Sequence, residues 1–241
     1  MTGVDSGRPD GRQARWQRHN ESRRQQIIDA AIEVIEDGAP GAEFHVQQIA
    51  ARAKVNRTVV YRYFEDRDEL DRAVQQEIID RLWSVLMPQL HLEGTVPQII
   101  DRIVGTYVDW AVAHPALHHV VDHDYSSGAL ERALDEIASQ LGEIISFAVT
   151  ALGGIPSLDE DSLDPLMHGL VGAVFGAVRR WLNRPQRVLS AEALRAHISR
   201  SAWFVIAGHA RDGGVELDPT MTVEELLAGA LGLEPPATVA P

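Results

Sequence analysis

The sequence predicts an all-α protein with an N-terminal three-helix domain carrying a helix-turn-helix and a larger C-terminal helical domain. Three observations predict it. Residues 46–70, VQQIAARAKVNRTVVYRYFEDRDEL, place a short apolar-faced helix, a tight turn and a second short helix ending in aromatics at helix-turn-helix spacing. Beyond them, apolar residues recur at helical spacing in long runs bounded by capping residues, proline and glycine. The 241 residues, 45% of them apolar, suffice for one large or two smaller cores.

Residues 1–22, MTGVDSGRPDGRQARWQRHNES, are rich in Gly, Arg and Gln with little apolar content, and read as a flexible arm. No apolar h-region follows, so they are not a signal peptide. Arg8, Arg12, Arg15 and Arg18, with Arg23 and Arg24 just beyond, suit a nucleic-acid backbone or an adjacent minor groove.

The first helix of the pair runs from about Val46 to Ala53, with Ile49, Ala50 and Ala53 on one apolar face. Lys54, Val55 and Asn56 make the bend, and Asn56 is placed to cap the next helix. That helix carries Val60 and Phe64 on its apolar side and Arg57, Thr58, Tyr61 and Arg62 on the polar side, which is sized for a DNA major groove. Asp66 and Glu69 read as the reciprocal cap of a further helix beginning at Arg67. Within 52–67, Arg52, Lys54, Arg57, Arg62 and Arg67 face only Glu65 and Asp66, in a chain of formal net charge −13. The 11 basic and 25 acidic residues of 68–241 give the remainder −14, so DNA contact belongs to the head.

These residues resemble the tetracycline-repressor (TetR) family: RRQQIIDAAIEVIEDG at 23–38 looks like its first helix, VQQIAARAKVNRTVVYRYF at 46–64 like its second and third, and EDRDEL at 65–70 like the start of its fourth. The resemblance implies a DNA-binding domain over 23–67, a ligand-binding and dimerisation domain over 68–210 and a tail over 211–241. It assigns DNA contact to Arg24, His45, Gln47, Gln48, Arg57, Thr58, Val59, Tyr61, Arg62 and Arg67. Thr58 stands where Gly or Ala is usual, Val59 where Thr or Ser is usual, and His45 replaces the common Thr cap. Val59 removes a hydroxyl able to bind phosphate. Arg57 and Arg62, five apart, divide between base edges and backbone. The Tyr61 phenol suits a phosphate oxygen, and Phe64 suits the core.

The helix begun at Asp66 continues through Leu70, Val74, Ile78, Leu82, Val85 and Leu86 to Pro88. Further helices are expected over about 96–113, 127–152, 163–182 and 191–208, and a short one over 223–231, where Thr222 and Glu225 have capping-box spacing. In the 163–182 helix, Gly169, Gly172, Ala173, Gly176 and Ala177 invite close approach by another helix, of the same subunit or of a partner. In the family the last two main helices form a four-helix bundle across a two-fold axis. The resemblance therefore implies a homodimer through those five residues and Leu194, Ile198, Ala202 and Val205, and an inverted-repeat operator. Trp83, Tyr107, Trp110, His114, His118, Phe147, Met167 and Phe175 form a set able to line an aromatic and thioether cavity, and equally an ordinary helical core. It is the resemblance that implies a small apolar or aromatic effector, releasing a repressor from its operator.

HPALHHVVDHDY at 114–125 groups His114, His118, His119 and His123 with Asp122 and Asp124, so a metal-dependent enzyme is a further reading. No HExxH, GxSxG or phosphate loop accompanies it, and Pro115 is expected to disrupt regular geometry there. The zero cysteines exclude disulfides and cysteine-bearing metal sites, and no motif calls for a cofactor. No membrane span is evident, and a soluble cytoplasmic protein is expected. A helical protein-interaction module that has lost DNA binding stays open beside the regulator, given His45, Thr58 and Val59.

Overall fold

The computed structural model describes residues 11–123, 128–151 and 160–231. They are all-α: ten α-helices and a single 3-10 turn, with one isolated β-bridge between Thr95 and Thr222. Two compact units divide at Ile78 and Ile79, inside the fourth helix and later than residue 67.

The first unit holds α1 (Gly11–Glu36), α2 (Val46–Arg52), α3 (Arg57–Tyr63) and the start of α4 (Arg67–Leu86). Its core gathers Ile27, Ala31 and Ile32 of α1, Ile49 and Ala50 of α2, Val60 of α3, Phe64 just after it, and Leu70, Val74 and Ile78 of α4. These are the apolar positions the helical spacing marked. The start of α1 corrects the sequence reading: residues 11–22, expected as a flexible arm, are already helical. Gln, Arg and Glu are good helix formers, so weak apolar content did not prevent a helix there.

The bend after α2 is a Schellman motif. The Val55 N–H donates to Ala50 O and the Lys54 N–H to Ala51 O, with Lys54 at φ +57° in the left-handed position that glycine usually fills. Asn56 occupies the N-cap of α3 with extended backbone, but its side chain makes no capping bond, contrary to expectation. At α4, Asp66 accepts the Glu69 N–H at 2.7 Å as expected. Glu69 itself reaches one residue further back, taking the Glu65 N–H at 2.6 Å.

The second unit holds the end of α4, the 3-10 turn Met87–Gln89, α5 (Val96–Ala113), α6 (Pro115–His123), α7 (Ala129–Ala151), α8 (Glu160–Leu182), α9 (Ala191–Asp212) and α10 (Val223–Leu231). α5 pairs with α9 and α7 with α8. Thr95 and Gln98 form the capping box that starts α5, and Thr222 and Glu225 do the same for α10. Pro115, expected to disrupt regularity, instead opens α6, because the first helical position needs no N–H donor. The α5–α9 contact is close at Gly105, where an added Cβ would collide with the Arg195 guanidinium group. Arg195 lies there because its Nε and Nη2 donate to Asp101 at 2.9 and 2.6 Å, while Ser199 donates to the same carboxylate at 3.2 Å. Those bonds hold the Asp101 carboxyl below its ordinary range. α10 packs on α7, and its first N–H, on Val223, donates to Gly94 O at 3.0 Å. Among the described residues, no helix is long and apolar enough to cross a membrane.

Candidate functional site

α3 is held from below and open above. Val60 and Phe64 are buried, Arg57, Thr58, Tyr61 and Arg62 are exposed, and Val59 is half-buried. Arg57 lies over the Tyr61 ring, 5.5 Å from its centroid. Arg62 lies over Tyr63 at 5.2 Å and donates to its phenol at 3.3 Å. These aromatic supports restrain two long side chains without neutralising them. On α2, Gln47 and Gln48 are exposed, and Gln48 Oε1 accepts the N–H of the exposed N-cap residue His45 at 2.7 Å.

The five cations counted between 52 and 67 do not act alike. Arg52 turns back to Asp37, just after α1, and to Glu33 of α1, and these bonds raise its pKa. Arg67, assigned to DNA, donates through Nε to both Asp71 oxygens at 2.7 Å and through Nη1 to Phe44 O at 3.0 Å. Arg24, also assigned to DNA, sits 4.6 Å over the Phe64 ring and pairs with Glu69 at 3.4 Å. In the chain without DNA, both guanidinium groups bond within the head. Lys54, Arg57 and Arg62 are exposed and pair with no carboxylate among the described residues. The sequence reading passed over Tyr63; its adjacency to Arg62 was the available signal.

In the second unit, part of the expected effector set converges. Tyr107 Oη and His118 Nε2 are 2.8 Å apart, with the donor set by the imidazole tautomer. Phe175 stacks near both rings, at centroid distances of 6.2 and 5.3 Å. Burial pushes the His118 imidazole down to about 4, against the opposing pull of Asp122, and pushes the Tyr107 phenol well above its ordinary value. Trp110 is buried and lies 5.3 Å from the half-buried His114; Met167 is buried and Trp83 half-buried. Phe147 is 70% exposed, which removes it from a buried lining. The reading missed Arg179 and Asn183, which approach the buried Asp122 at 3.2 and 3.4 Å from α8 and just beyond it. Asp122 lies one helical turn after His118, a spacing that placed both on one face of α6. Among the described residues, no group of three His, Asp or Glu is arranged to hold a metal ion; the His123 side chain and Asp124 lie outside them.

The expected dimer residues divide. Leu194, Ile198 and Ala202 are buried within the single chain, on α9, the partner of α5. Val205 is exposed, as is its neighbour Phe204 at 64%. A Cβ added at Gly169, Gly172 or Gly176 would meet nothing within 4 Å, so the α8 glycines are not explained by packing within the subunit. Ala173 is exposed and Ala177 half-buried.

Residues 27–74 match the family model described as bacterial regulatory proteins, tetR family. Residues 27–74 thus carry a helix-turn-helix region of the tetR type. The chain is 26% identical over 214 residues to an uncharacterized HTH-type transcriptional regulator of Mycobacterium tuberculosis, covering 85% of this chain and 86% of the relative. A tetR-family regulator from Streptomyces coelicolor shares the fold with TM-score 0.64 and 20% identity, over 89% of this chain and 90% of the other. The FadR regulator of Bacillus subtilis, solved in complex with stearoyl-CoA, shares it with TM-score 0.58 and 17% identity, over 76% and 98%. The family match spans the buried helix-turn-helix core, from Ile27 of α1 to Val74 of α4.

Proposed function

We propose that this tetR-family regulator is a homodimeric cytoplasmic repressor that binds an inverted-repeat operator through α3 and leaves it when a small apolar or aromatic molecule binds the second unit. The observation that carries the DNA reading is the α3 face, where Arg57, Thr58, Tyr61 and Arg62 are exposed above a buried Val60 and Phe64. Gln47, Gln48 and His45 flank it on α2, and Lys54 adds a cation at the turn. Phosphate contact from Arg57, Arg62 and Lys54 supplies affinity, and side chains reaching base edges supply sequence choice. The two-fold symmetry of a dimer makes an inverted repeat the matching target.

The effector reading is supported by the aromatic cluster of Tyr107, His118 and Phe175, with a polar edge at Asp122 and Arg179, and by the buried Trp110 and Met167 of the same unit. The fold neighbour solved with stearoyl-CoA bears a molecule with a long apolar acyl chain. Release follows if the ligand prefers the conformation that binds DNA poorly, since ligand and operator then oppose each other through one coupling free energy.

Fluorescence anisotropy on duplexes from upstream of the protein's own gene tests the first half. Saturable binding to one fragment, lost in an Arg57→Ala, Arg62→Ala double variant, is expected. The slope of log K against log salt should fall by roughly 0.9 for each phosphate contact removed. Weak binding that is equal on all fragments in wild type and variant would overturn the reading.

A further inference from the structure

The helix-turn-helix is bracketed by two phenylalanines, Phe44 immediately before the N-cap of α2 and Phe64 at the C-cap of α3, and an arginine lies over each ring. Arg67 stands 4.5 Å over Phe44, donates to the Phe44 carbonyl at 3.0 Å, and is held by both oxygens of Asp71 at 2.7 Å. Arg24 stands 4.6 Å over Phe64 and pairs with Glu69, whose second oxygen takes the Glu65 N–H at 2.6 Å. The two carboxylates lie two residues apart near the start of α4. Each arginine thus joins one end of the helix-turn-helix to the same stretch of α4.

Resting on the reading of α3 as the DNA-contacting helix, we propose that Arg24 and Arg67 are positioning residues. They fix where α2 and α3 stand, through Glu69 and Asp71, and do not contact phosphate. The chemistry favours this role for Arg67. Its Nε and Nη1 donors are engaged, its charge is balanced by Asp71, and its guanidinium lies over the Phe44 ring, so turning toward a phosphate would break the Nε bond shared by both Asp71 oxygens and a carbonyl bond together. A lysine cannot reproduce the fork and the stack at once.

The test uses the full chain and opposes two electrostatic expectations. Asp71→Asn removes a negative charge from the head, which by charge alone strengthens DNA binding and would free Arg67 for phosphate. The clamp predicts the reverse: affinity for the operator duplex falls roughly tenfold, while affinity for a scrambled duplex is held or rises slightly. Arg67→Lys, which keeps the charge, should fall with Asp71→Asn, and Arg67→Ala should leave the salt slope unchanged. Hydrogen exchange of the 44–48 amides, read without DNA, should quicken in all three variants while circular dichroism keeps its helical signal. Operator binding by Asp71→Asn that equals or exceeds wild type, or rescue of Arg67→Ala by Arg67→Lys with a salt slope lowered by about one, overturns the proposal. Wild-type protein that does not distinguish operator from scrambled duplex overturns the DNA reading itself; unchanged 44–48 exchange overturns the clamp alone.

Discussion

Lys54 is the one described non-glycine residue with positive φ, and it sits at the pivot of the helix-turn-helix. A side chain in the left-handed region costs roughly 1–2 kcal/mol, and the two Schellman bonds impose that conformation. Lys54→Gly should therefore raise the melting temperature of the head by the equivalent of about 1 kcal/mol after the added unfolded-state entropy, whereas Lys54→Val should lower it. A lower melting temperature in the glycine variant would show that the lysine side chain contributes more than its backbone costs. A second residue-scale prediction concerns His118. Its folded pKa, about 4, lies below the ordinary 6.5, so between these values the unfolded chain binds the extra proton. Stability from this group is complete above pH 6.5 and is lost as pH falls toward 4, by up to about 3 kcal/mol. Chemical denaturation at stepped pH should show that loss, and His118→Gln should flatten it; an equal slope in the variant would place the proton uptake elsewhere. The sequence made the α3 face readable because one short helix carries it. Arg67–Asp71, one helical turn apart, was open to the same reasoning, but Arg24–Glu69 joins residues 45 positions apart and required the fold.

Caps decided which elements were legible. α5 begins at Val96 and α10 at Val223, as expected, because Thr95 with Gln98 and Thr222 with Glu225 satisfy the orphan N–H groups there. α6 was missed because a proline signals both a break and a helix start, and only the following apolar face of Ala116, Leu117 and Val121 decides between them. The beginning of α1 was missed because the sequence of its first turns is polar, with no apolar periodicity to mark them. α10 offers a test of what holds a short terminal helix. Val223 is its first residue, where proline is tolerated, so Val223→Pro deletes the N–H bonded to Gly94 O with little cost to the helix itself. Val223→Ala keeps that N–H and loses comparable side-chain contact. The 224–231 amides should exchange about fivefold faster in the proline variant than in the alanine variant, the size of a net hydrogen bond near 1 kcal/mol. Equal exchange would mean that packing on α7 alone holds α10.

At the scale of the molecule, the acidic body and the head with its outward cations divide the work that charge permits: on the proposed reading, DNA is drawn to α3 and repelled elsewhere. Operator selection by a dimer then depends on which apolar and small residues the single chain leaves open. On α9, Leu194, Ile198 and Ala202 are consumed by the chain's own packing, while Phe204 and Val205 are exposed. On α8 the space above Gly169, Gly172 and Gly176 is empty within the subunit, although three helix-interior glycines cost roughly 1 kcal/mol each relative to alanine. A second copy lying against α8 and α9 accounts for both observations. It also separates two variants that sequence spacing alone treated as equivalent. Gly172→Arg has room in the monomer and should halve the mass in sedimentation velocity while helicity and monomer stability persist. Ile198→Ala should leave the mass at that of the dimer and lower unfolding stability by about 2–4 kcal/mol through the cavity it opens. A Gly172→Arg protein that stays dimeric would move the interface off the α8 glycine face. An Ile198→Ala protein that dissociates without losing subunit stability would return that residue to the interface, against its burial in the single chain.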